Sequence, residues 1–253
     1  MLISYVCRND IVGGYQKPLF LRAHMGTISL IMPARDEEEG LTLLEQEFSK
    51  SFLSKRSDFS FMIVVDARSS DKTMEISQNL ADIVILQREK WGKGEAVKSA
   101  IQKWSENPSD ILIMMDADGS YRWDDVEKVI HALESGAKVV TGTRLRGLFS
   151  RVEGMSMLHH FGNHGLAFLA SIRNRRRIRD LCSGLWGFRA EAIMEIAPSA
   201  EGFDLEAEIH GRTRVLRIPV VQIPIQWRRR VGGEAKIRSF ADGLRILFRV
   251  IRT

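Results

Sequence analysis

The sequence predicts an α/β protein in which helices flank a mostly parallel sheet. Two observations predict this fold class. Apolar, β-rich runs alternate with segments of helical spacing between residues 27 and 145. The runs are continuous, as in FMIVV at 61–65 and ILIMM at 111–115, which is typical of parallel strands buried on both faces. The chain of 253 residues is long enough to bury one large core.

The first half of the chain alternates strand and helix. Strands are predicted at TISLIM (27–32, ended by Pro33), 61–65, 83–86, 111–115 and 138–141. Helices are predicted between them, where apolar residues recur three or four positions apart, at 37–50, 70–80, 93–104 and 124–133. Residues 1–26 show no clear periodicity, so we expect a loose N-terminal extension there.

The pattern changes after residue 145. Residues 155–172 predict a helix, and RNRRRIRD at 173–180 is strongly basic. Residues 183–188 predict a loop and a short strand. The run PVVQIPI at 219–225 predicts an edge strand, because its second proline removes a donor from the ladder. No internal repeat marks a second unit, so we expect one compact domain over residues 27–237.

The last residues, 238–253, predict an amphipathic helix. One face is apolar and comprises Phe240, Leu244, Leu247, Phe248 and Ile251. Another face is mainly basic and comprises Arg238, Asp242, Arg245, Arg249 and Arg252. Two interpretations are open: the helix docks on the core, or it lies in a membrane interface. The basic run at 173–180 likewise suits a solvated loop, or contact with lipid headgroups or a phosphorylated acceptor.

The amino-acid composition indicates which binding partners and which cellular compartment to expect. A formal charge of +5 and a pI near 9.4 favour anionic partners such as nucleotide phosphates or an acidic membrane surface. The basic run has no interleaved aromatic residues, so nucleic acid is not expected as a partner. The two cysteines, Cys7 and Cys182, suit free thiols in a reducing cytosol. No apolar run approaches the roughly 18 residues of a membrane span.

Acidic side chains follow three of the predicted strands. They lie in the segments Arg35-Asp36-Glu37, Asp66-Ala67-Arg68 and Asp116-Ala117-Asp118. Ligands of such sheets bind beyond the carboxyl ends of the strands, so we expect one cleft lined by all three segments. Residues i and i+2 of a strand point the same way, and Asp116 and Asp118 can therefore reach one Mg²⁺ or Mn²⁺ ion. The alternative interpretation is an ordinary polar turn.

Two further segments are candidates for binding an anion or a nucleoside. WGKGEAV at 91–97 places Lys93 between two glycines at a helix start, where N–H groups and a cation favour an anion. It is not a P-loop, since the G-x-x-x-x-G-K-[ST] spacing is absent. Asp66 can accept hydrogen bonds from a base N–H or a ribose hydroxyl; the alternative is that its segment only caps the next helix.

Seven segments together resemble a known family. They are PARDEEEGL, VVDARSSDKT, GKGEAV, MMDADGS, TGTR, DLCSGLWGFR and RRRVGGEAKI, in that order. Over residues 27–253 the chain resembles inverting family-two nucleotide-sugar glycosyltransferases of the GT-A fold. Within that family it is most similar to the dolichol-phosphate mannose synthases and other polyprenyl-phosphate glycosyltransferases.

The resemblance implies a nucleotide-sugar half at 27–145, an acceptor-side half at 146–237 and metal-dependent transfer of a hexose to a polyprenyl phosphate. The implied nucleotide-binding residues are Pro33, Ala34, Glu37, Asp66, Lys93 and Ala117. Asp116 and Asp118 would bind Mg²⁺ or Mn²⁺ and the diphosphate. The implied phosphate-binding and acceptor-side residues are Arg144, Arg230, Ser183, Gly184 and Lys236. Two positions depart from the family pattern: Ala67 replaces a second aspartate, and Ser120 stands where lipid-phosphate enzymes often have glutamine.

The acceptor determines whether a base is needed. A polyprenyl phosphate is already an anion and needs only to be positioned. A hydroxyl of a soluble or carbohydrate acceptor needs a carboxylate to take its proton, for which Asp180 is the first candidate and Glu206 the second. Less favoured interpretations are nucleotidyl transfer and a non-catalytic nucleotide-binding module. A cytoplasmic enzyme, peripheral at the cytosolic membrane face, fits the leading interpretation; the donor's nucleobase and sugar and the oligomeric state stay undefined.

Overall fold

The computed structural model describes residues 4–7, 27–144, 157–232 and 239–253. Within them, eight strands form one sheet in the order β1-β4-β3-β2-β5-β7-β6-β8. The strands are β1 (Ser4–Cys7), β2 (Ile28–Ala34), β3 (Phe59–Asp66), β4 (Ile83–Gln87), β5 (Ile111–Met114), β6 (Val139–Thr143), β7 (Trp186–Arg189) and β8 (Val220–Pro224).

The helices connect these strands and cover both faces of the sheet. They are α1 (Glu38–Phe48), α2 (Thr73–Leu80), α3 (Lys93–Trp104), α4 (Trp123–Glu134), α5 (Met157–Asn174), α6 (Ala190–Ile196), α7 (Leu205–Val215) and α8 (Ser239–Arg252), with a 3₁₀ turn at Phe52–Lys55. Among the described residues, no helix is both long enough and apolar enough to cross a bilayer.

The predicted mostly parallel α/β sheet is confirmed. Strands β2, β3, β4 and β5 are parallel neighbours, and β6 pairs in parallel with β8. Strand β7 lies between β5 and β6 and is antiparallel to both. Strand β8 is an edge strand, as its proline predicts.

The strands are continuous apolar runs because both of their faces are buried. In β2, Leu30 packs into a core shared with α1 and α4, whereas its neighbour Ile31 packs on the opposite face against α3, α6 and α7. A third, smaller cluster joins α5, α7 and α8. Ile246 and Val250 of α8 are buried in that cluster, so the C-terminal helix docks on the core through one side.

Two strand ends differ from the prediction. Strand β2 does not stop at Pro33 but pairs with β3 through Ala34. Since β5 pairs with β2 only as far as Ile31, Pro33 stands where a single neighbour uses the ladder, and its missing N–H is tolerated there. Strand β5 ends at Met114, so Asp116 and Asp118 lie in the following loop and not in the strand itself.

The N-terminal extension is not entirely loose. Ser4–Cys7 forms β1 and pairs antiparallel with β4, in a register that places Ser4 opposite Leu86. Four residues give too short a pattern for periodicity to detect a strand. Residues 8–26 lie outside the described part of the chain.

Candidate active site

Acidic residues gather at the carboxyl edge of the sheet, as the strand ends predict. Glu37 follows β2, Asp66 ends β3, and Asp116 and Asp118 follow β5, three strands that are neighbours in the sheet. Within the described residues, each of these carboxylates except Asp118 has a cationic partner. Arg68 lies two residues after Asp66, whereas Lys93 and Arg230 come from other parts of the chain.

Lys93 joins the candidate metal loop to helix α7. Its ammonium nitrogen lies 2.6 Å from Oδ1 of Asp116 and 2.6 Å from Oε1 of Glu206. Burial disfavours the charged form of Lys93, but the two carboxylates outweigh this effect and raise its pKa above the ordinary value. Burial raises the pKa of Glu206, and Lys93 opposes that change. The three groups therefore form a nearly buried network centred on a permanent cation.

The helix start around Lys93 packs closely on the segment at Ala200 and Glu201. A Cβ atom at Gly92 or Gly94 would overlap the main chain at Glu201 or Ala200, so the glycines permit close contact with that segment. The Glu95 N–H donates to the Glu201 carbonyl over 3.1 Å. The sequence of this segment predicts N–H groups and a cation that favour an anionic ligand. In the structure the anions at Lys93 are protein carboxylates.

Gly184 leaves room for the Asp116 carboxylate. A Cβ atom on Gly184 would overlap the carboxylate of Asp116, so any other residue would displace that side chain. The Gly184 N–H donates to the Tyr121 hydroxyl over 2.6 Å. Burial raises the pKa of Tyr121, whose hydroxyl stays neutral. Ser183, next in the chain, is fully buried, and no partner of its Oγ exists among the described residues.

Asp118 is held by its own loop. Its Oδ1 accepts the Ser120 N–H over 3.0 Å, and its carbonyl accepts the Val231 N–H over 3.1 Å. Gly40 of α1 lies directly against the main chain of Ala117 and Asp118, where a Cβ atom would overlap the Ala117 carbonyl. The buried Ala117 thus contributes backbone packing, and the side chain of Asp118 is half-exposed at the edge of the sheet.

Arg144 and Asp180 form a buried bidentate pair. Nε and Nη2 of Arg144 lie 2.7 and 2.8 Å from the two carboxylate oxygens of Asp180, and Nη2 also donates to the Cys182 carbonyl. Asn163 of α5 donates to the same carboxylate over 2.8 Å. Burial would raise the pKa of Asp180, but Arg144 and Asn163 outweigh it and lower the value. A carboxylate bound in this way is a poor proton acceptor.

Glu37 and Arg230 pair across the two halves of the chain. Arg230 Nη2 donates to Glu37 Oε2 over 2.7 Å. The backbone of Glu37 is held by Thr73, whose hydroxyl accepts the Glu37 N–H over 2.7 Å. Lys236, predicted to lie near Arg230, is outside the described residues. The structure therefore places Arg230 at the end of β2, next to the predicted nucleotide-binding segment.

Asp66 is covered by an arginine that the sequence analysis did not assign to the site. Arg68 donates to Asp66 from its backbone N–H, from Nε at 3.0 Å and from Nη2 at 2.7 Å. Burial raises the pKa of Asp66, but the hydrogen bonds from Arg68 outweigh it and the pKa is lowered. The Arg68 guanidinium also stacks on Trp91, 4.0 Å from the ring centroid. Ala67, between them, leaves this turn open.

The residues present fit a divalent cation held jointly with a diphosphate. Among the described residues no group of three or more acidic, histidine or cysteine side chains converges on one point. Asp116 and Asp118 offer hard carboxylate oxygens on one loop, and both side chains are only partly buried. Mg²⁺ binds in this way in many proteins, through one or two carboxylates with substrate phosphates and water completing the shell.

The sequence assigned no role to Tyr121, Arg68 or Asn163. Arg68 belongs to a segment that was predicted to line the cleft, and Tyr121 directly follows the segment MMDADGS. Asn163 offered no sequence signal, since only the fold brings α5 to Asp180. Pro33 and Ala34 are the last two residues of β2, which places them at the carboxyl end of the strand next to Glu37.

Comparison with known proteins identifies the family. Residues 29–197 match the family described as "Glycosyl transferase family 2". That match covers more than half of the chain, and the chain belongs to this family. The fold agrees: it superposes on Mycobacterium tuberculosis glucosyl-3-phosphoglycerate synthase, crystallised with Mn²⁺, UDP-glucose and phosphoglyceric acid, with a TM-score of 0.69, 16% identity and coverage of 90% of this chain and 79% of that one.

Three curated relatives are similar in sequence. A dolichyl-phosphate hexose transferase of Haloferax volcanii is 30% identical over 73% of this chain and 77% of its own length. Glycosyltransferase AglJ of the same organism is 26% identical over 73% of this chain and 60% of its own length. The dolichol-phosphate mannosyltransferase of Pyrococcus furiosus is 26% identical over 89% and 64%. The chain thus spans less than two thirds of the length of the latter two relatives.

Proposed function

We propose that the protein transfers a hexose from a nucleotide sugar to a polyprenyl phosphate, in a metal-dependent reaction that inverts the anomeric centre. Membership of glycosyltransferase family 2 supports sugar transfer. The names of three relatives support a lipid phosphate as the acceptor. They are a dolichol-phosphate mannosyltransferase, a dolichyl-phosphate hexose transferase and a dolichyl-phosphate β-glucosyltransferase. The two cysteines and the free thiol of Cys182 favour the cytosolic side of a membrane.

One observation carries the choice of acceptor. The two carboxylates considered as bases, Asp180 and Glu206, are both bound to cations: Asp180 to Arg144 through both oxygens, and Glu206 to Lys93. Asp180, with a lowered pKa, is a poor proton acceptor, and Glu206 has one of its oxygens bound to the Lys93 ammonium in a buried position. A phosphate acceptor arrives ionised and needs no base, so the arrangement favours it over a soluble or carbohydrate hydroxyl.

The donor would bind along the ends of β2, β3 and β5. Glu37 and Asp66 would accept hydrogen bonds from the nucleoside, and Arg68 and Trp91 border Asp66, with the arginine stacked on the ring. Asp116 and Asp118 would hold Mg²⁺ or Mn²⁺. When bound, such an ion neutralises the charge of a departing nucleoside diphosphate. Lys93 holds Asp116 through an ion pair of 2.6 Å.

The arginines would handle the remaining phosphate charge. Arg144 is positioned by Asp180 and by the Cys182 carbonyl, and its guanidinium lies at the entrance of the loop that carries Ser183 and Gly184. A planar guanidinium suits phosphate oxygens better than an ammonium group does. Arg230 is paired with Glu37 at the end of β2. The donor's phosphates would bind at the same strand end, so Arg230 would leave Glu37 and pair with a phosphate when the donor binds.

The test uses purified protein, Mn²⁺ or Mg²⁺, and UDP- and GDP-sugars, with a polyprenyl phosphate in detergent or a soluble acceptor. Release of nucleoside diphosphate that requires one sugar nucleotide, the metal and the lipid supports the proposal. Turnover with a soluble hydroxyl acceptor alone overturns the choice of acceptor, and no binding of any nucleotide sugar overturns the proposed function.

Asp118→Asn supplies the matching variant. Changing an outer partner of a metal ligand typically costs about 10- to 100-fold, so loss of a ligand should lower turnover at least about a hundredfold. Asp124→Asn, at an exposed acid in the first turn of α4, is the control and should keep full activity. Full activity of Asp118→Asn would remove the metal assignment.

A further inference from the structure

Helices α5 and α8 each present an apolar stripe to solvent. Within the described residues, thirteen large apolar side chains are exposed, and eight of them lie on these two helices. These eight are Met157, Phe161, Phe168, Leu169 and Ile172 on α5, and Leu244, Phe248 and Ile251 on α8. The other five are scattered over several elements, as is normal for single exposed apolar residues. We call the surface formed by the eight the α5–α8 face.

The two stripes belong to one surface because the helices pack side by side. Ala170 of α5 and Val250 of α8 are buried in the same small core. At the C-terminal turns, Arg173 Nε donates to the Ile251 carbonyl over 3.4 Å. Ile172 and Ile251, which flank this contact, are 62% and 59% exposed. A contiguous apolar surface of this kind marks a site of interaction with a protein or a membrane.

Arginines border the α5–α8 face and are not neutralised. Arg173, Arg175 and Arg252 are exposed at the C-terminal ends of the two helices. None of the three forms an ion pair within the part of the chain that the structure describes. Helix α5 contains no acidic residue. An apolar surface edged by exposed guanidinium groups that form no ion pair among the described residues has the chemistry of a helix that lies in an anionic membrane interface.

We propose that the α5–α8 face binds the surface of an anionic lipid bilayer, with its apolar side chains in the interface and its arginines at headgroup phosphates. A second copy of the chain would meet the face with the same arginines, so self-association would bring like charges together. Anionic headgroups match the charge of the border, and acyl chains match the stripe.

The position of α5 connects this surface to the active site. The side of α5 opposite to the stripe carries Asn163, which donates to Asp180 beside Arg144. The bilayer surface and the arginine are thus separated by about the diameter of one helix, on the order of 10 Å. In this respect the inference rests on the proposed function, because a lipid-linked phosphate could reach Arg144 without leaving the membrane.

The test measures vesicle flotation without donor or acceptor. Phosphatidylcholine vesicles with and without phosphatidylglycerol are compared, at low and high salt, for wild type and variants. Phe168→Ser combined with Phe248→Ser should lower the partition coefficient at least about tenfold. Phe52→Ser, a side chain of similar exposure on the 3₁₀ turn, is the apolar control. Arg175→Gln with Arg252→Gln should reduce binding roughly fivefold per charge, and Lys55→Gln with Lys138→Gln removes the same charge elsewhere.

The possible outcomes test membrane binding by the α5–α8 face separately from the proposed sugar transfer. Binding that requires phosphatidylglycerol, weakens with salt and is lost only in the face variants supports the proposal. Absence of vesicle binding by folded wild type, or binding that the face variants retain, overturns it. So does light scattering that shows a dimer converted to monomer by the phenylalanine changes. Turnover on a short-chain polyprenyl phosphate in detergent should be unchanged in Phe168→Ser with Phe248→Ser. If wild type shows no such turnover, the proposed function is overturned, but the proposed membrane surface is not.

Discussion

The ammonium group of Lys93 lies 2.6 Å from the carboxylate of Asp116, and the contact ties the first residue of α3 to the loop after β5. Glu206 of α7 shares the same ammonium group at 2.6 Å. The three side chains connect the loop after β5, helix α3 and helix α7. Because Lys93 carries the only charge opposite to the other two, the network depends on it.

Replacing Lys93 by Met should leave Asp116 and Glu206 close together without a counter-ion. Breaking a buried pair by removing one partner typically costs about 3–5 kcal/mol, and we expect a loss of that order in the free energy of unfolding measured with urea. Adding Glu206→Gln should recover part of the loss, since one of the two carboxylates is then neutral. Strictly additive effects of the two changes would contradict the shared network.

Gly184→Ala should damage the site more than the fold. The new methyl group would overlap the Asp116 carboxylate and push it out of place. We expect stability to fall by roughly 1–3 kcal/mol, as for other overpacked positions, and donor binding followed by calorimetry to weaken more than tenfold. Gly162→Ala on α5 is the control, because no atom lies within 4 Å of its added methyl group. Wild-type donor affinity in Gly184→Ala would show that Asp116 does not need its present position.

Asp180→Asn should misplace Arg144 but should not remove a group whose ionisation controls the reaction rate. The amide keeps the shape of the carboxylate but cannot accept from both arm nitrogens of the guanidinium. Small misplacements of a positioning group cost up to about a hundredfold, so turnover should drop while the shape of its pH profile stays the same. Asn163→Ala, which removes one contact to Asp180, should have a weaker effect. Loss of a basic limb from the profile in Asp180→Asn would restore this residue as the base.

His210 should make the protein less stable in mild acid. Burial lowers the pKa of His210 from 6.5 to about 3, and Arg176 adds to the effect. The unfolded chain therefore binds a proton below pH 6.5 that the folded chain refuses until about pH 3. The contribution is complete above pH 6.5 and is lost progressively as the pH falls through that window. Between pH 7 and pH 5 the loss amounts to about 2 kcal/mol.

His210→Asn isolates this contribution. Asparagine can still accept from Arg176, whose Nη2 lies 3.2 Å from the Nδ1 position, but it does not titrate. Urea unfolding at pH 7 and pH 5 should show a smaller difference for the variant than for wild type. Equal differences in the two proteins would place the acid sensitivity in other groups.

Much of the fold could be predicted because local sequence and global architecture agree. Continuous apolar runs such as β3 can be buried only in a sheet covered on both faces, and the helix at Lys93–Trp104 begins and ends where its pattern does. The direction of β7 could not be predicted, since a run of four residues is equally compatible with either orientation. The helices α6 and α7 were missed; α7 buries charged residues such as Glu206 and Glu208, which conceals its apolar periodicity.

The site was predictable as a set of strand ends but not as a set of pairs. Parallel strands bring Glu37, Asp66 and Asp116 to one edge whatever their loops do. Which cation each carboxylate meets depends on contacts between residues as distant as Glu37 and Arg230, which are 193 positions apart. No spacing along the chain encodes such a contact. The ion pairs of these carboxylates could therefore be identified only from the three-dimensional structure.

The reversed direction of β7 allows the two sides of the site to change independently. Because β7 runs against β5 and β6, the segment before it reaches the same edge of the sheet as the segments after its neighbours. The chain leaves the sheet at Asp66 and Asp116, on the proposed donor side, and enters it at Ser183 and Gly184, on the proposed acceptor side. Insertions between α5 and β7 would alter the second side without shifting the register of any donor-side strand. A lineage could exchange acceptors in this way while its recognition of the nucleotide stayed intact.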